Sequence, residues 1–116
     1  MSKEAWVPER GEVIWINPQA GREIRDPMLV LSPKNFNLKT GIVIGLPMTT
    51  AEYNATNPFA IEFEGQKKGK SYILAHQLKS FDWRQRNARL HPSKKVPEDV
   101  LRSACELLNQ IISLLE

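Results

Sequence analysis

Val13-Ile14-Trp15-Ile16, bracketed by Gly11 on one side and the turn-forming Asn17-Pro18 on the other, is a short unbroken run of β-branched and aromatic side chains. A run this brief and this apolar fits a buried strand, because a helix needs about ten or more residues to hold together. Working outward, Met28-Leu29-Val30-Leu31 repeats the pattern and closes on Ser32-Pro33. Thr40-Gly41 opens Ile42-Val43-Ile44-Gly45-Leu46, which Pro47 is expected to end, since proline brings no N–H to a sheet ladder. Phe59-Ala60-Ile61-Glu62-Phe63 alternates apolar with small or polar residues, as a half-buried strand does. Gly65 to Lys70 reads as a basic, glycine-containing turn, after which Ser71-Tyr72-Ile73-Leu74 and Leu78-Lys79-Ser80-Phe81 follow as strands, with Ala88-Arg89-Leu90 as a short last one. About six short strands in roughly ninety residues predict a mainly β fold, a small and strongly bent barrel rather than a layered α/β sheet.

The tail changes period. Pro97 suits a first helical position, and Glu98 and Asp99 place negative charge at the positive end of a helix dipole. Leu101, Ala104, Cys105, Leu108, Ile111, Ile112 and Leu115 then recur at spacings of three and four, predicting an amphipathic C-terminal helix that covers the barrel. Leu107 and Leu114 widen its apolar face, which leaves core packing and contact with a second subunit both open.

A chain of 116 residues suits one compact domain, 1–116, with room for one site or one shared with a second copy. Its 41% apolar and 25% charged residues match a globular protein with a packed core and exclude a disordered or fibrous one. The net charge of +3, from 16 basic and 13 acidic residues, permits an anionic partner without demanding one. Cys105 is the single cysteine, so no internal disulfide forms and a reducing compartment fits; its apolar neighbours predict a small buried core residue. The opening Met1 to Trp6 has no apolar signal region, and no stretch approaches the roughly 18 apolar residues that span a bilayer. A cytoplasmic protein without a membrane partner is expected. No Cys/His cluster, phosphate-cradling glycine loop or acidic pair at metal-ligand spacing is present, so neither a metal nor a cofactor is indicated.

Several short motifs share an order and spacing: Pro8-Glu9-Arg10-Gly11-Glu12-Val13-Ile14-Trp15, Gln19-Ala20-Gly21-Arg22-Glu23, Leu29-Val30-Leu31-Ser32-Pro33 with Asn37 and Thr40-Gly41, and Pro47-Met48-Thr49-Thr50. Asn57-Pro58-Phe59, Ala75-His76-Gln77-Leu78-Lys79-Ser80 and Trp83-Arg84-Gln85-Arg86 follow downstream. Together they resemble the MazF/PemK/Kid toxin family over nearly the whole chain. The resemblance implies an SH3-like barrel with a C-terminal helix, a homodimer, and endoribonuclease cleavage of single-stranded messenger RNA, held in check by a cognate antitoxin of a type II toxin-antitoxin system.

Metal-free RNA cleavage uses the ribose 2′-hydroxyl to attack the adjacent phosphorus, so a site must supply a base, an acid and cationic groups for the phosphorane. Gly21-Arg22-Glu23-Ile24-Arg25-Asp26-Pro27, between the first two strands, holds arginines and carboxylates together. In the family this loop ends in an Arg-Pro pair whose arginine contacts the scissile phosphate; here Asp26 precedes Pro27 and the loop is a little shorter. A gapped register brings Arg25 into that role, with Arg22 as the second candidate. A guanidinium binds phosphate oxygens through two N–H groups and stays charged throughout, which suits electrostatic stabilisation. Glu23 aligns with a family carboxylate and would act as the base if burial raised its pKa.

Thr49 matches the family's functional threonine, its hydroxyl donating to the phosphate and orienting the arginine; a plain strand-end or turn role is the alternative. His76 stands where relatives carry an aspartate. With an unperturbed pKa near 6.5 it suits acid-base work, contact with a base edge, or a structural role. The RNA path is assigned to Tyr53, Asn54 and Asn57 in a mobile loop, with Gln77 and Lys79 lining the strand opposite, so that one ring stacks and the amides read base edges. Trp83 is expected to pack on the barrel, and His91 to be a loop residue without chemical duty. Two rival classes remain: a protein-binding toxin on the same fold, like the gyrase poison CcdB, and an inactive SH3-like module. The first acts through a tryptophan-bearing C-terminal tail, whereas this chain ends Leu114-Leu115-Glu116.

Overall fold

The computed structural model describes residues 5–17, 25–64 and 69–113. Its strands are β1 (Glu12–Ile16), β2 (Asp26–Val30), β3 (Ile42–Thr49), β4 (Ala60–Glu64), β5 (Lys70–Leu74), β6 (Lys79–Asp82) and β7 (Arg89–Lys95), with helices α1 (Lys34–Thr40) and α2 (Glu98–Ile112). A single 3-10 turn, Glu52–Thr56, joins β3 to β4. All the pairings are antiparallel, in the order β4-β5-β3-β2-β1-β7, with β6 added to β3. The sheet curls on itself, as the strand count predicts, into a small SH3-like barrel capped by the C-terminal helix.

The apolar runs are unbroken because β1, β2 and β3 are buried on both faces, and the period-2 alternation of strand side chains sorts them into two clusters. Ile14, Ile16, Met28, Val30 and Val43 pack with Val7 and Trp83 on one side. Val13, Leu29, Leu46, Ile73 and Ala75 pack with Val96 and Ala104 on the other. Trp83 therefore sits in the core, as its sequence context predicts.

β3 is the hinge of the architecture. Ile42 to Gly45 pairs with β6, Gly45 to Pro47 with β2, and Met48 and Thr49 with β5. The strand thus does not stop at Pro47 but runs through it to Thr49. Proline is tolerated there because it falls where the strand passes from one set of partners to the next, a position that does not require a full ladder. Gly45 is needed at the crossing: a Cβ on it would lie 2.1 Å from the Leu29 carbonyl oxygen.

β7 is also longer than expected, continuing from Arg89 past Pro92 to Lys95 with a register shift against β1 between Glu12 and Ile14. The shift absorbs the left-handed Lys94 (φ 62) and keeps the strand paired. α1 is an element the hydrophobic pattern does not announce. It starts after Pro33, ends at left-handed Gly41 (φ 72), and buries only Asn37.

α2 lies on the second cluster through Val100, Leu101, Ala104 and Leu107, a face centred slightly away from the predicted one. Cys105 is consequently exposed, not buried, because one residue along a helix turns about 100° and carries its side chain off the contact line. Ile111 and Ile112 are also exposed, and Leu114 and Leu115 lie outside the described residues. Among the described residues, no helix is long and apolar enough to cross a membrane.

Candidate active site

A cleft of about 1140 Å³ opens where the barrel's strand ends converge. Val13 and Trp15 come from β1, Asp26 and Pro27 from the start of β2, Met48 and Thr49 from the end of β3, Tyr72 from β5, and His91, Pro92 and Ser93 from β7. The sequence folds this way because β3 is long enough to reach β5 beyond β2, so its last residues overhang the start of β2, where Met28 pairs with Pro47.

Thr49 lies in this wall, and its Oγ1 accepts the backbone N–H of Ala51 at 3.2 Å. With that oxygen accepting from the turn, the hydroxyl proton is the group it can offer to an anion. Arg25 is exposed and immediately precedes Asp26 and Pro27, which line the cleft; it is thus at the cleft's rim. A second, smaller hollow of about 70 Å³ shares Asp26 and Pro27 and adds Lys79 and Phe81. The start of β2 is therefore a ridge with Thr49 on one side and Lys79 on the other.

The other residues assigned from the sequence distribute differently. Glu23 and Arg22 lie outside the described residues. His76 is exposed in the turn after β5, its ring 5.9 Å from that of Phe59 and its Nε2 3.3 Å from the Gln77 amide nitrogen. Neither His76 nor Gln77 lines the cleft. Tyr53 is 79% exposed on the 3-10 turn, well presented for stacking. Asn54 is buried: its Nδ2 donates to the Ala51 carbonyl and its Oδ1 accepts from Asn57 Nδ2. Asn57 in turn accepts the Phe59 N–H through Oδ1. The segment expected to be a mobile loop is thus a pinned turn, whose asparagines satisfy its own polar groups while Tyr53 faces outward.

Some cleft residues escape the sequence reading altogether. Tyr72 stands opposite Thr49 on the β3–β5 ladder and opposite Glu62 on the β4–β5 ladder. Burial first, then the Glu62 carboxylate, pushes its phenol above the usual value near 10, and Glu62 also forms an ion pair with Lys70 at 3.4 Å. Tyr72 is therefore a neutral O–H at physiological pH. His91, expected to be an idle loop residue, is a β7 residue stacked on Trp15, with ring centroids 4.5 Å apart. The only trace of this in the sequence is alternation: His91 and Ser93 share one face of a strand that the prolyl residue between them had seemed to interrupt.

Comparison with known proteins agrees with this geometry. The family model for the PemK-like, MazF-like toxin of type II toxin-antitoxin systems matches residues 9–112. The endoribonuclease toxin MazF of Escherichia coli K12 is 38% identical over 87 residues, covering 72% of this chain and 76% of that protein. The MazE–MazF crystal structure (Form-II) from Deinococcus radiodurans superposes with a TM-score of 0.80 at 30% identity, covering 93% of this chain and 97% of its match. A mycobacterial endoribonuclease bound to its cognate antitoxin shares the fold at 17% identity, with a TM-score of 0.69 and 95% of this chain covered. By the extent of the family match and the identity to its relatives, this chain belongs to the PemK-like, MazF-like toxin family of type II toxin-antitoxin systems.

Proposed function

We propose that this chain is an endoribonuclease toxin that cuts single-stranded messenger RNA at the cleft between Thr49 and the start of β2, and that a cognate antitoxin protein restrains it. The observation that carries the reading is the placement of the Thr49 hydroxyl, held by the Ala51 N–H, in the same cleft as Asp26-Pro27, with Arg25 next in the chain. An in-line attack by the 2′-hydroxyl forms the 2′-O–P bond and breaks the P–O5′ bond, leaving a 2′,3′-cyclic phosphate and a 5′-hydroxyl. Arg25, or Arg22 in the alternative register, neutralises the phosphorane's charge, and Thr49 donates to one of its oxygens. Glu23 is assigned proton removal from the attacking hydroxyl, and the departing 5′ oxygen takes its proton from water. Lys79, across the ridge, continues the positive path of the RNA backbone, and Tyr53 offers a ring to an unpaired base.

This chemistry asks for no metal, because the nucleophile belongs to the substrate. The names of the relatives support both the RNA-cutting role and the antitoxin partner, and action in the cytoplasm as a homodimer fits the same reading. Incubation with a long single-stranded RNA in excess chelator tests it. Discrete fragments ending in cyclic phosphate and 5′-hydroxyl are expected; intact RNA, together with tight binding to gyrase, would replace this reading with that of a protein-binding toxin.

A further inference from the structure

The cleft is larger than the roughly 300–1,000 Å³ of a usual small-ligand pocket, so it has room for more of an RNA strand than the scissile linkage alone. Its walls carry the carboxylates of Asp26 and Glu52, and among the described residues Lys70 is the one lysine or arginine that lines it. Arg25 stands at the rim. A polyanion that enters past two negative charges needs a cation in the wall to meet it.

Strand register places Lys70. Thr49 is the partner of Tyr72, so Lys70, two residues earlier on β5, shares their face of the sheet and is the diagonal neighbour of Thr49. Diagonal neighbours on one face lie about 7–8 Å apart, close to the step between successive phosphates of an extended nucleic-acid strand. A phosphate held at the Thr49 hydroxyl therefore brings the next one within reach of an ammonium on a flexible four-carbon stem. Nor is that ammonium firmly committed: its Nζ lies 3.4 Å from Glu62 Oε2, with the two side chains 56% and 44% exposed. An ion pair this open to water contributes little to stability and exchanges at small cost, whereas pairing with an RNA phosphate releases a condensed counterion.

We infer that Lys70 is a substrate-binding residue of the cleft, its ammonium leaving Glu62 to take the RNA phosphate next to the scissile one. The inference rests on the cleft being where RNA is bound and cut. A contact to a neighbouring phosphate is made equally in the ground and transition states, so it strengthens binding and leaves the chemical step nearly unchanged.

The probe is an RNA made uncleavable by a 2′-deoxy residue at the scissile position. Lys70→Met keeps an apolar stem and removes the charge; it is expected to weaken binding about fivefold at low salt and to lower the slope of log affinity against log salt by about 0.7. Lys70→Arg should keep both near wild type. Glu62→Gln breaks the same ion pair from the other side and should bind at least as tightly as wild type. With cleavable RNA, Lys70→Met raises KM by about the same factor as it weakens binding, while kcat stays within about twofold of wild type. Replacing the phosphates one at a time by uncharged methylphosphonates then locates the contact: in the wild-type protein the phosphate adjoining the scissile one should cost affinity when neutralised, and in Lys70→Met that cost should disappear.

Wild-type affinity and salt slope in Lys70→Met would overturn the inference. So would equal weakening by Lys70→Met and Glu62→Gln, the mark of an ion pair that only fastens β4 to β5, or a methylphosphonate penalty that Lys70→Met leaves unchanged. Thr49→Ala and Arg25→Ala serve as the reference. If those two variants cleave poorly and Lys70→Met binds normally, only the role of Lys70 falls; if they cleave at the wild-type rate, the catalytic reading of the cleft falls with it.

Discussion

Thr49 and Tyr72 are direct partners across the β3–β5 ladder, and Glu62 is the partner of Tyr72 on its other side, so an alcohol, a phenol and a carboxylate stand side by side on three adjacent strands. Tyr72 stays uncharged itself and separates the Glu62 carboxylate from Thr49 by one strand, so the nearest acidic groups sharing the cleft with the alcohol are those of Asp26 and Glu52.

From this follows the first expectation. Thr49→Ala should lower cleavage tenfold or more, the scale of losing a positioned hydrogen bond of about 1.4 kcal/mol, while Thr49→Ser, which keeps the hydroxyl, recovers much of it. The Ala51 N–H loses its acceptor in the alanine variant but lies at a partly exposed turn where water can replace it, so the urea midpoint should move little. A single-turnover rate at saturating RNA is the measurement, and an unchanged rate removes Thr49 from the chemistry.

Arg25→Ala should cost more, about a hundredfold, as expected for a charged group aimed at the developing phosphorane. Arg25→Lys should remain well below wild type, because an ammonium cannot span two phosphate oxygens as the planar guanidinium does. Arg22→Ala is the companion variant: if it carries the large loss while Arg25→Ala does not, the arginine belongs to the other register of the loop.

The barrel was legible because strands buried on both faces must be written as unbroken apolar runs, and Val13 to Ile16, Met28 to Val30 and Ile42 to Leu46 are such runs. The C-terminal helix was legible because a surface helix shows its buried stripe, although the stripe includes Val100 and omits Cys105. α1 leaves no such mark. It buries a single polar residue, and only the flanking Pro33 and Gly41 punctuate it. Among the residues at the cleft, Thr49 and the Arg25-Asp26-Pro27 segment were singled out in sequence through their motifs. Trp15 and His91 were not, because nothing local says that β7 extends past Pro92 and lies along β1. The asparagines of the 3-10 turn were misjudged for a related reason: an exposed amide and one that satisfies its own turn read the same in sequence.

Tyr72 gives a pH signature. Its pKa is raised in the folded protein, first by burial and then by Glu62, so the native state holds the phenolic proton more tightly than the unfolded chain. Its contribution to stability is then fully present below the unfolded value near 10 and is lost as pH climbs through the higher folded value. Spectrophotometric titration should show a tyrosinate component above pH 10 that Tyr72→Phe removes. Urea midpoints measured from pH 9 to 11.5 should fall less steeply in that variant; parallel curves would show that Tyr72 is not held neutral by its surroundings.

Asn37 tests what fastens α1 and the N-terminal segment to the barrel. Its side chain is fully buried, with Nδ2 donating to the Pro8 carbonyl at 2.8 Å and the Ser32 carbonyl at 3.0 Å, and Oδ1 accepting from the Ser32 hydroxyl. Its own carbonyl takes the Trp83 indole N–H at 2.8 Å, so one residue ties four parts of the chain together: residue 8, the β2–α1 turn, α1 and the segment after β6. Asn37→Ala strands two buried carbonyls, while the Ser32 hydroxyl keeps Ile44 as a partner, at a cost of about 3 kcal/mol, which should lower the urea midpoint with little change in slope. Asn37→Asp keeps the shape but turns both donors into a carboxylate facing carbonyl oxygens, and should be the more damaging change at pH 7. Burial and those carbonyls raise the pKa of such a carboxyl, so Asn37→Asp should regain stability as pH falls toward 5, whereas Asn37→Ala should show no such recovery. Asn37 lies away from the cleft, so the cleavage rate per folded molecule should stay at the wild-type value in both variants. A loss of rate without a loss of stability would mean that α1 reaches the active site by a route its packing does not show.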